Sequence, residues 1–236
     1  MNKNDLIEKY ISKNKRNDAY KLLQKGIPVQ YIIKSVDFCG FKINVDNRVL
    51  IPRFETEFLV DKTVKIAKNL SKKKINILDL GTGSGCIAIS LAKLLNAKVT
   101  AVDISKDALD VAKKNAKENN ANIKFVYHNM EEKIKGNYDI IISNPPYIGK
   151  KGFVEDIVRN NEPNIALFTK DDDGLYFYRK ILKYAFDILN KPGFIAFEIG
   201  DNEKEELEKE VINCQRKYMF LNDYSNLPRY LFIFNE

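Results

Sequence analysis

Strong acid–base chemistry has little equipment in this chain, which carries one histidine, His128, so a mechanism needing a histidine pair is excluded by count. Its most specific chemical signal is the stretch Asn144-Pro145-Pro146-Tyr147, which ends the apolar run from Tyr138 to Ser143. A planar amino group, such as a carboxamide or the exocyclic amine of a base, has its nitrogen lone pair delocalised. To be alkylated it needs acceptors that hold its two N–H bonds while the lone pair faces the donor. The side-chain oxygen of Asn144 and the main-chain carbonyl of Pro145 can supply two such acceptors. Pro145 and Pro146 fix φ and make that carbonyl rigid. Tyr147 offers an aromatic face to a flat substrate. No strong base is required. The competing interpretation is a proline-rich turn with no chemistry.

A second constellation lies upstream, in Asp79-Leu80-Gly81-Thr82-Gly83-Ser84-Gly85. The three glycines let the backbone approach a ligand closely and take positive φ. Gly83, Gly85 and Ala88 also satisfy the dinucleotide pattern G-x-G-x-x-A, with Asp103 eighteen residues after Gly85. Asp79 argues against a dinucleotide, because a pyrophosphate there would meet a carboxylate. S-adenosylmethionine has no phosphate, and its sulfonium and ammonium groups are cationic, so an acid is welcome. Asp103 is placed to accept ribose hydroxyls from either cofactor. As a plain strand-end acid, Asp79 would instead cap backbone amides.

These two stretches need a scaffold that brings strand ends to one rim. The chain from Ile75 onward is patterned to build it: apolar runs at "INILDL", "KVTAVDI", "IKFVY", "YDIIISN" and "FIAFEIG" alternate with helical spacing at "SGCIAISLAKLL", "KDALDVAKKNAKENN" and Leu175 to Leu189. A charged helix from Glu203 and strands near "KYMFL" and "RYLFIF" complete it. Strands buried on both faces with helices between them predict a doubly wound parallel α/β sheet. The glycine loop and the Asn-Pro-Pro-Tyr stretch then share the carboxyl rim, where open sheets bind ligands. Upstream, residues 5–25 read as helical, with Leu6, Tyr10, Leu22 and Leu23 as packing contacts. The stretch "VDFCGFKINVDNRVLI" reads as a hairpin around Gly40 and the turn-forming Asp46-Asn47, and Glu55 to Leu70 as a helix.

Composition narrows the function classes. At 236 residues, one main domain with a small extension is expected. No apolar run is long enough for a membrane helix. The N-terminus lacks the apolar core of a signal peptide, and the three cysteines, Cys39, Cys86 and Cys214, form no disulfide or zinc pattern, so the chain reads as cytoplasmic, with no membrane and no metal. A net charge of +7 suits a nucleic-acid or ribosome-associated partner. The lysine runs are short and not interleaved with aromatics, which favours lysine spread over solvated faces instead.

The series "ILDLGTGSGCIAISLAK" and "NPPYI" resembles the class I methyltransferases that modify nitrogen. With "VLIPRFETEFLVD", "NEPNIALF", "DGLYFYRKIL" and "FIAFEIG" in that order, the chain resembles, from about Pro28 to its end, the peptide-chain release factor glutamine methyltransferases. This resemblance implies a seven-stranded Rossmann-like class I sheet over residues 55–236. A hairpin and linker over 28–54 and a short helical remnant over 1–27 would precede it. It implies methyl transfer from S-adenosylmethionine to the glutamine amide nitrogen in the Gly-Gly-Gln loop of class 1 release factors. By the same resemblance Asp79, the glycine loop, Asp103 with Ile104, Asn129 with Met130, and Asn144 would hold the cofactor. Three positions and one segment depart from the family pattern: Phe54 for proline in the linker motif, Asn129 for an acid, Glu203 for a glutamine, and a short N-terminal segment before the hairpin. An adenine-N6 methyltransferase of DNA or RNA, and a non-catalytic ribosome-associated scaffold, are the alternatives. The lack of a base-reading domain weighs against the first and the intact motifs against the second.

Overall fold

A computed structural model describes residues 2–70 and 72–236. In chain order the N-terminal part is α1 (Lys3–Tyr10), α2 (Arg16–Gln24), α3 (Val29–Ile33), β1 (Ser35–Phe38), β2 (Phe41–Asn44) and α4 (Phe54–Ala67). Then follow β3 (Asn76–Leu80), α5 (Cys86–Leu94), β4 (Lys98–Asp103), α6 (Lys106–Glu118), β5 (Ile123–Tyr127), β6 (Tyr138–Ser143) and α7 (Asp156–Arg159). The chain ends with α8 (Tyr176–Ile188), β7 (Leu189–Glu198), α9 (Lys204–Ile212), β8 (Tyr218–Asn222) and β9 (Pro228–Asn235). No helix among the described residues is long and apolar enough to cross a membrane.

Seven strands form one sheet in the order β5-β4-β3-β6-β7-β9-β8. Alternation sorts the central strands between two apolar layers. Ile77, Ile140, Ile142, Phe194 and Phe232 face α4, α5 and α6, whereas Leu78, Leu80, Ile141, Ile195 and Leu231 face α8 and α9. Both layers are fully buried, which is why the strands read as continuous apolar runs rather than alternating ones. The sheet is mixed, not wholly parallel. β9 runs antiparallel to both β7 and β8. The five residues between β8 and β9 allow a hairpin, and a parallel return needs a crossover of a dozen or more.

The N-terminal segment is built differently from the reading of its large residues. It breaks at Ile11-Ser12 into α1 and α2, and it buries Ile7 and Ala19; Leu6 and Leu23 pack against them half-buried, as expected, while Tyr10 and Leu22 are exposed. The Asn2–Asp5 capping box sets the phase of α1, so Ile7 faces inward. The break then resets the phase for α2. The short helix α3 has too few turns, at five residues, to leave a periodic signal in the sequence. In the hairpin the turn is Cys39-Gly40, with both φ angles positive at 50° and 81°, as a type I′ turn requires. Asp46 instead shapes the loop after β2, where its carboxylate accepts from Arg48 N–H at 3.1 Å.

Candidate active site

Strand register places the site. Leu80 of β3 pairs with Val102 of β4 on one side and Ser143 of β6 on the other, so Gly81, Asp103 and Asn144 follow in step at one rim. β3 is also where the strand order reverses, which opens a crevice beyond the carboxyl ends. Ser143 Oγ donates to the Leu80 carbonyl at 2.7 Å and ties the two strand ends together.

The glycine loop leaves β3 by a tight turn. Gly81 and Thr82 N–H both donate to the Val102 carbonyl at 2.9 Å, and Gly83 N–H donates to Asp103 Oδ2 at 2.9 Å. Gly83 has a φ of +53°, and the space a Cβ would occupy is open, so this backbone can meet a ligand directly. A Cβ at Gly85 would stand 3.1 Å from the Ala112 Cβ, so this glycine serves helix packing between α5 and α6. Thr82 and Ser84 are buried; the Thr82 hydroxyl donates to Asp79 Oδ2 at 2.6 Å.

Asp79 is fully buried, and its Oδ1 has no partner among the described residues. Burial raises its carboxyl to about 7, with the nearby Asp103 adding to the shift. Asp103 is partly buried and raised for the same first reason, against the pull of its backbone donors. Its Oδ1 accepts from Ser105 N–H at 2.8 Å, so each oxygen has one donor and capacity for another.

Two clefts meet beside Asn144. The first has a cavity volume of about 160 Å³ and is walled by Gly81, Gly83, Asp103 and Ile104 on one side and Asn129, Met130 and Pro146 on another. It therefore gathers most of the predicted cofactor residues, while Asp79, Thr82, Ser84 and Gly85 lie behind or beside that wall. Asn129 Oδ1 is turned to Glu131 N–H at 3.0 Å, and the Met130 methyl fills the space that a side chain at Gly81 would need. The second cleft has a cavity volume of about 330 Å³ and is walled by Arg53, Tyr147, Phe153 and Val158. Leu50, Asn144 and Ala166 border both. Tyr147 is half-buried against the layer under α8 and α9, with one ring edge close to Gly200.

The segments around this junction support one another. Glu162, buried, accepts from Ile51 N–H at 2.9 Å and from the Arg53 guanidinium at 2.5 Å, which joins "NEPNIALF" to the linker before α4. Asn144 Nδ2 donates to Thr56 Oγ1 at 3.2 Å, and Thr56 donates to Glu198 Oε2 at 2.7 Å. Burial raises the Glu198 carboxyl to about 7. Sequence reading missed Thr56 and Glu198 as site residues. The available signal was a carboxylate at the end of a strand otherwise written in apolar residues, "FIAFE".

The arrangement suits a nucleotide-like ligand. Asp103 can accept hydroxyl protons, Gly83 offers open backbone, and the Asp79 carboxyl behind the loop, raised to about 7 by burial, is drawn to its charged form by a cation such as the sulfonium or ammonium of S-adenosylmethionine. Comparison with known proteins agrees in kind. The family model described as methyltransferase small domain matches residues 56–162. A solved methyltransferase from Pyrococcus furiosus is similar with a TM-score of 0.61 at 22% identity, over 93% of this chain and 98% of its own. The hMettl16 catalytic domain reaches 0.63 at 18% identity, over 82% of this chain and 75% of its own. These two likenesses concern the fold. A release factor glutamine methyltransferase from Flavobacterium psychrophilum is 44% identical over 206 residues, covering 85% of this chain and 71% of that protein. One from Streptococcus pneumoniae is 46% identical over 186 residues, covering 78% of this chain and 65% of that protein. At this identity over most of both chains, the chain belongs to the family of release factor glutamine methyltransferases.

Proposed function

We propose that the protein methylates the side-chain amide nitrogen of a glutamine in class 1 peptide-chain release factors, within their Gly-Gly-Gln loop. S-adenosylmethionine, when bound, supplies the electrophilic methyl group. Asp103 accepts from the ribose, Ile104, Asn129 and Met130 line the adenine end, and the loop from Gly81 to Gly85 carries the backbone close to the cofactor, with Asp79 behind it. The glutamine enters by the second cleft. Asn144 Oδ1 and the Pro145 carbonyl accept its two N–H bonds, Pro146 keeps that turn rigid, and Tyr147 packs beside the amide. Holding both N–H bonds in place aims the nitrogen lone pair across the junction. The rate comes from proximity, alignment and exclusion of water rather than from a strong base. As the nitrogen bonds the methyl carbon, the methyl's bond to sulfur breaks and leaves a neutral thioether, and the nitrogen's surplus proton passes to solvent.

The observation that carries this reading is the position of Asn144, in register with the glycine loop and bordering both clefts. The test is single-turnover transfer of labelled methyl to a release factor and, separately, to duplex DNA. Release factor should be labelled at its glutamine, and Asn144→Ala should lower the rate about a hundredfold. Cofactor affinity should change far less. Label in DNA and none in release factor would replace this reading with adenine methylation. A near-normal rate for Asn144→Ala would reduce the tetrapeptide to a turn.

A further inference from the structure

A primary amide has two unlike ends of almost the same shape. If Asn144 turned its NH2 toward the clefts, it would present donors to a substrate amide that also donates. Something must choose the orientation, and the surrounding buried groups carry that information. Glu198, 1% exposed, ends β7, and its ionised carboxylate can only accept. Thr56, in the first turn of α4 and 3% exposed, lies 2.7 Å from it. The single hydroxyl proton of Thr56 is therefore committed to Glu198. What remains on Thr56 Oγ1 is lone pairs. Asn144 stands 3.2 Å from that oxygen and must offer its NH2, so its Oδ1 is left for the clefts. The Asn144 NH2 also bears directly on the Glu198 carboxylate, a second acceptor that makes the same demand. Three separate elements thus form one network with a single direction: carboxylate, hydroxyl, amide.

We infer that Thr56 and Glu198 are positioning residues that set the direction of the Asn144 amide and keep its oxygen toward the substrate. This rests on Asn144 being the acceptor for the substrate nitrogen. Protonation of Glu198 would reverse the chain, since the acid could donate to Thr56 and release the hydroxyl proton toward Asn144. Burial already brings that carboxyl near neutrality; Arg229 of β9 opposes the shift, Glu55 of α4 adds to it, and Tyr147, Tyr178 and Tyr230 also face it.

Four variants test this: Thr56→Ser, Thr56→Val, Glu198→Gln and the double variant Thr56→Val/Glu198→Gln. Thr56→Ser keeps the hydroxyl and should stay within about threefold of wild type in kcat, whereas Thr56→Val, the same shape without it, should lose about tenfold with KM for cofactor little changed. Glu198→Gln can donate or accept, so it should lose a similar factor. The double variant should fall little further, because both residues act through one chain. The wild-type kcat should rise with pH through neutrality, and that limb should vanish in Glu198→Gln. A substrate-free readout accompanies these. In asparagine-labelled protein, hydrogen exchange of the Asn144 side-chain NH2 by NMR should be slow in wild type and Thr56→Ser and at least about tenfold faster in Thr56→Val. Equal exchange in all forms, or wild-type kcat in Thr56→Val, overturns the inference. If the NH2 behaves as expected but release factor is never methylated, the substrate assignment fails and the positioning chain stands.

Discussion

Asp103 serves two masters at once: it accepts from Gly83 and Ser105 N–H, and on the reading above it also accepts from ribose. Asp103→Ala removes both services, so we expect S-adenosylmethionine affinity to fall at least about tenfold by calorimetry. Asp103→Asn keeps one acceptor oxygen and should lose less. Unchanged affinity in a folded Asp103→Ala protein, or measurable NAD binding by the wild type, would return the dinucleotide interpretation. Glu203 illustrates a different residue-scale effect. It is buried at the start of α9, accepts from Gly200 N–H at 2.8 Å, and burial raises its carboxyl to about 8. Asp79 and Glu198 are raised to about 7 for the same reason. An unfolded carboxyl titrates near 4, so between about pH 5 and pH 8 the folded chain holds protons that the unfolded chain has released. Stability therefore falls as pH rises through that window. Glu203→Gln supplies the neutral form permanently. It should raise Tm at pH 8 by roughly 2–4 °C, about 1 kcal/mol, and do little at pH 5. Equal Tm gains at both values would refute the titration argument.

Between elements, the most economical clamp is Asn115 of α6. It is fully buried, and its Oδ1 accepts from Asn44 N–H at 2.8 Å and Asn44 Nδ2 at 2.7 Å. Its Nδ2 donates to the carbonyls of Asn44 and Ser84, each at 2.9 Å. One amide thereby fastens the end of β2 and the glycine loop to the same helix. Asn115→Ala leaves several buried groups without partners, and a loss of about 2–4 kcal/mol is expected from urea unfolding. Cofactor affinity should weaken as well, because Ser84 is released. A variant with wild-type stability would show that water replaces the clamp without cost.

Over the whole molecule, the two apolar layers of the sheet share no buried residue with the small cluster of Ile7, Ala19, Val29 and Ile32. That cluster crosses the boundary at residue 27, tying α1 and α2 to α3. We propose that the segment before the hairpin is a separate packing unit and that the sheet folds without it. Removal of residues 1–24 should leave S-adenosylmethionine affinity within about twofold, while exposing Val29 and Ile32 and lowering solubility. Loss of cofactor binding in that variant would show that the sheet depends on the cluster.

Local chemistry wrote much of this molecule in readable form. Short β-branched runs such as "DIIIS" favour strands with two buried faces, glycines at 81, 83 and 85 permit the positive φ their turn takes, and an Asn-Pro-Pro-Tyr stretch has a rigid carbonyl wherever it is placed. Each of those signals lies within a few residues of itself, where steric and hydrogen-bonding rules act directly. The reversed direction of β9, the phase of α2 and the partners of Asn144 were settled elsewhere. Thr56 and Glu198 are separated by 142 positions, and neither signals the other along the chain. Only the packing of α4 across β7, with β6 beside it in register, brings a hydroxyl, a carboxylate and an amide within hydrogen-bond reach. Desolvation then gives their polarity its force, since a buried acceptor without a donor costs far more than one facing water.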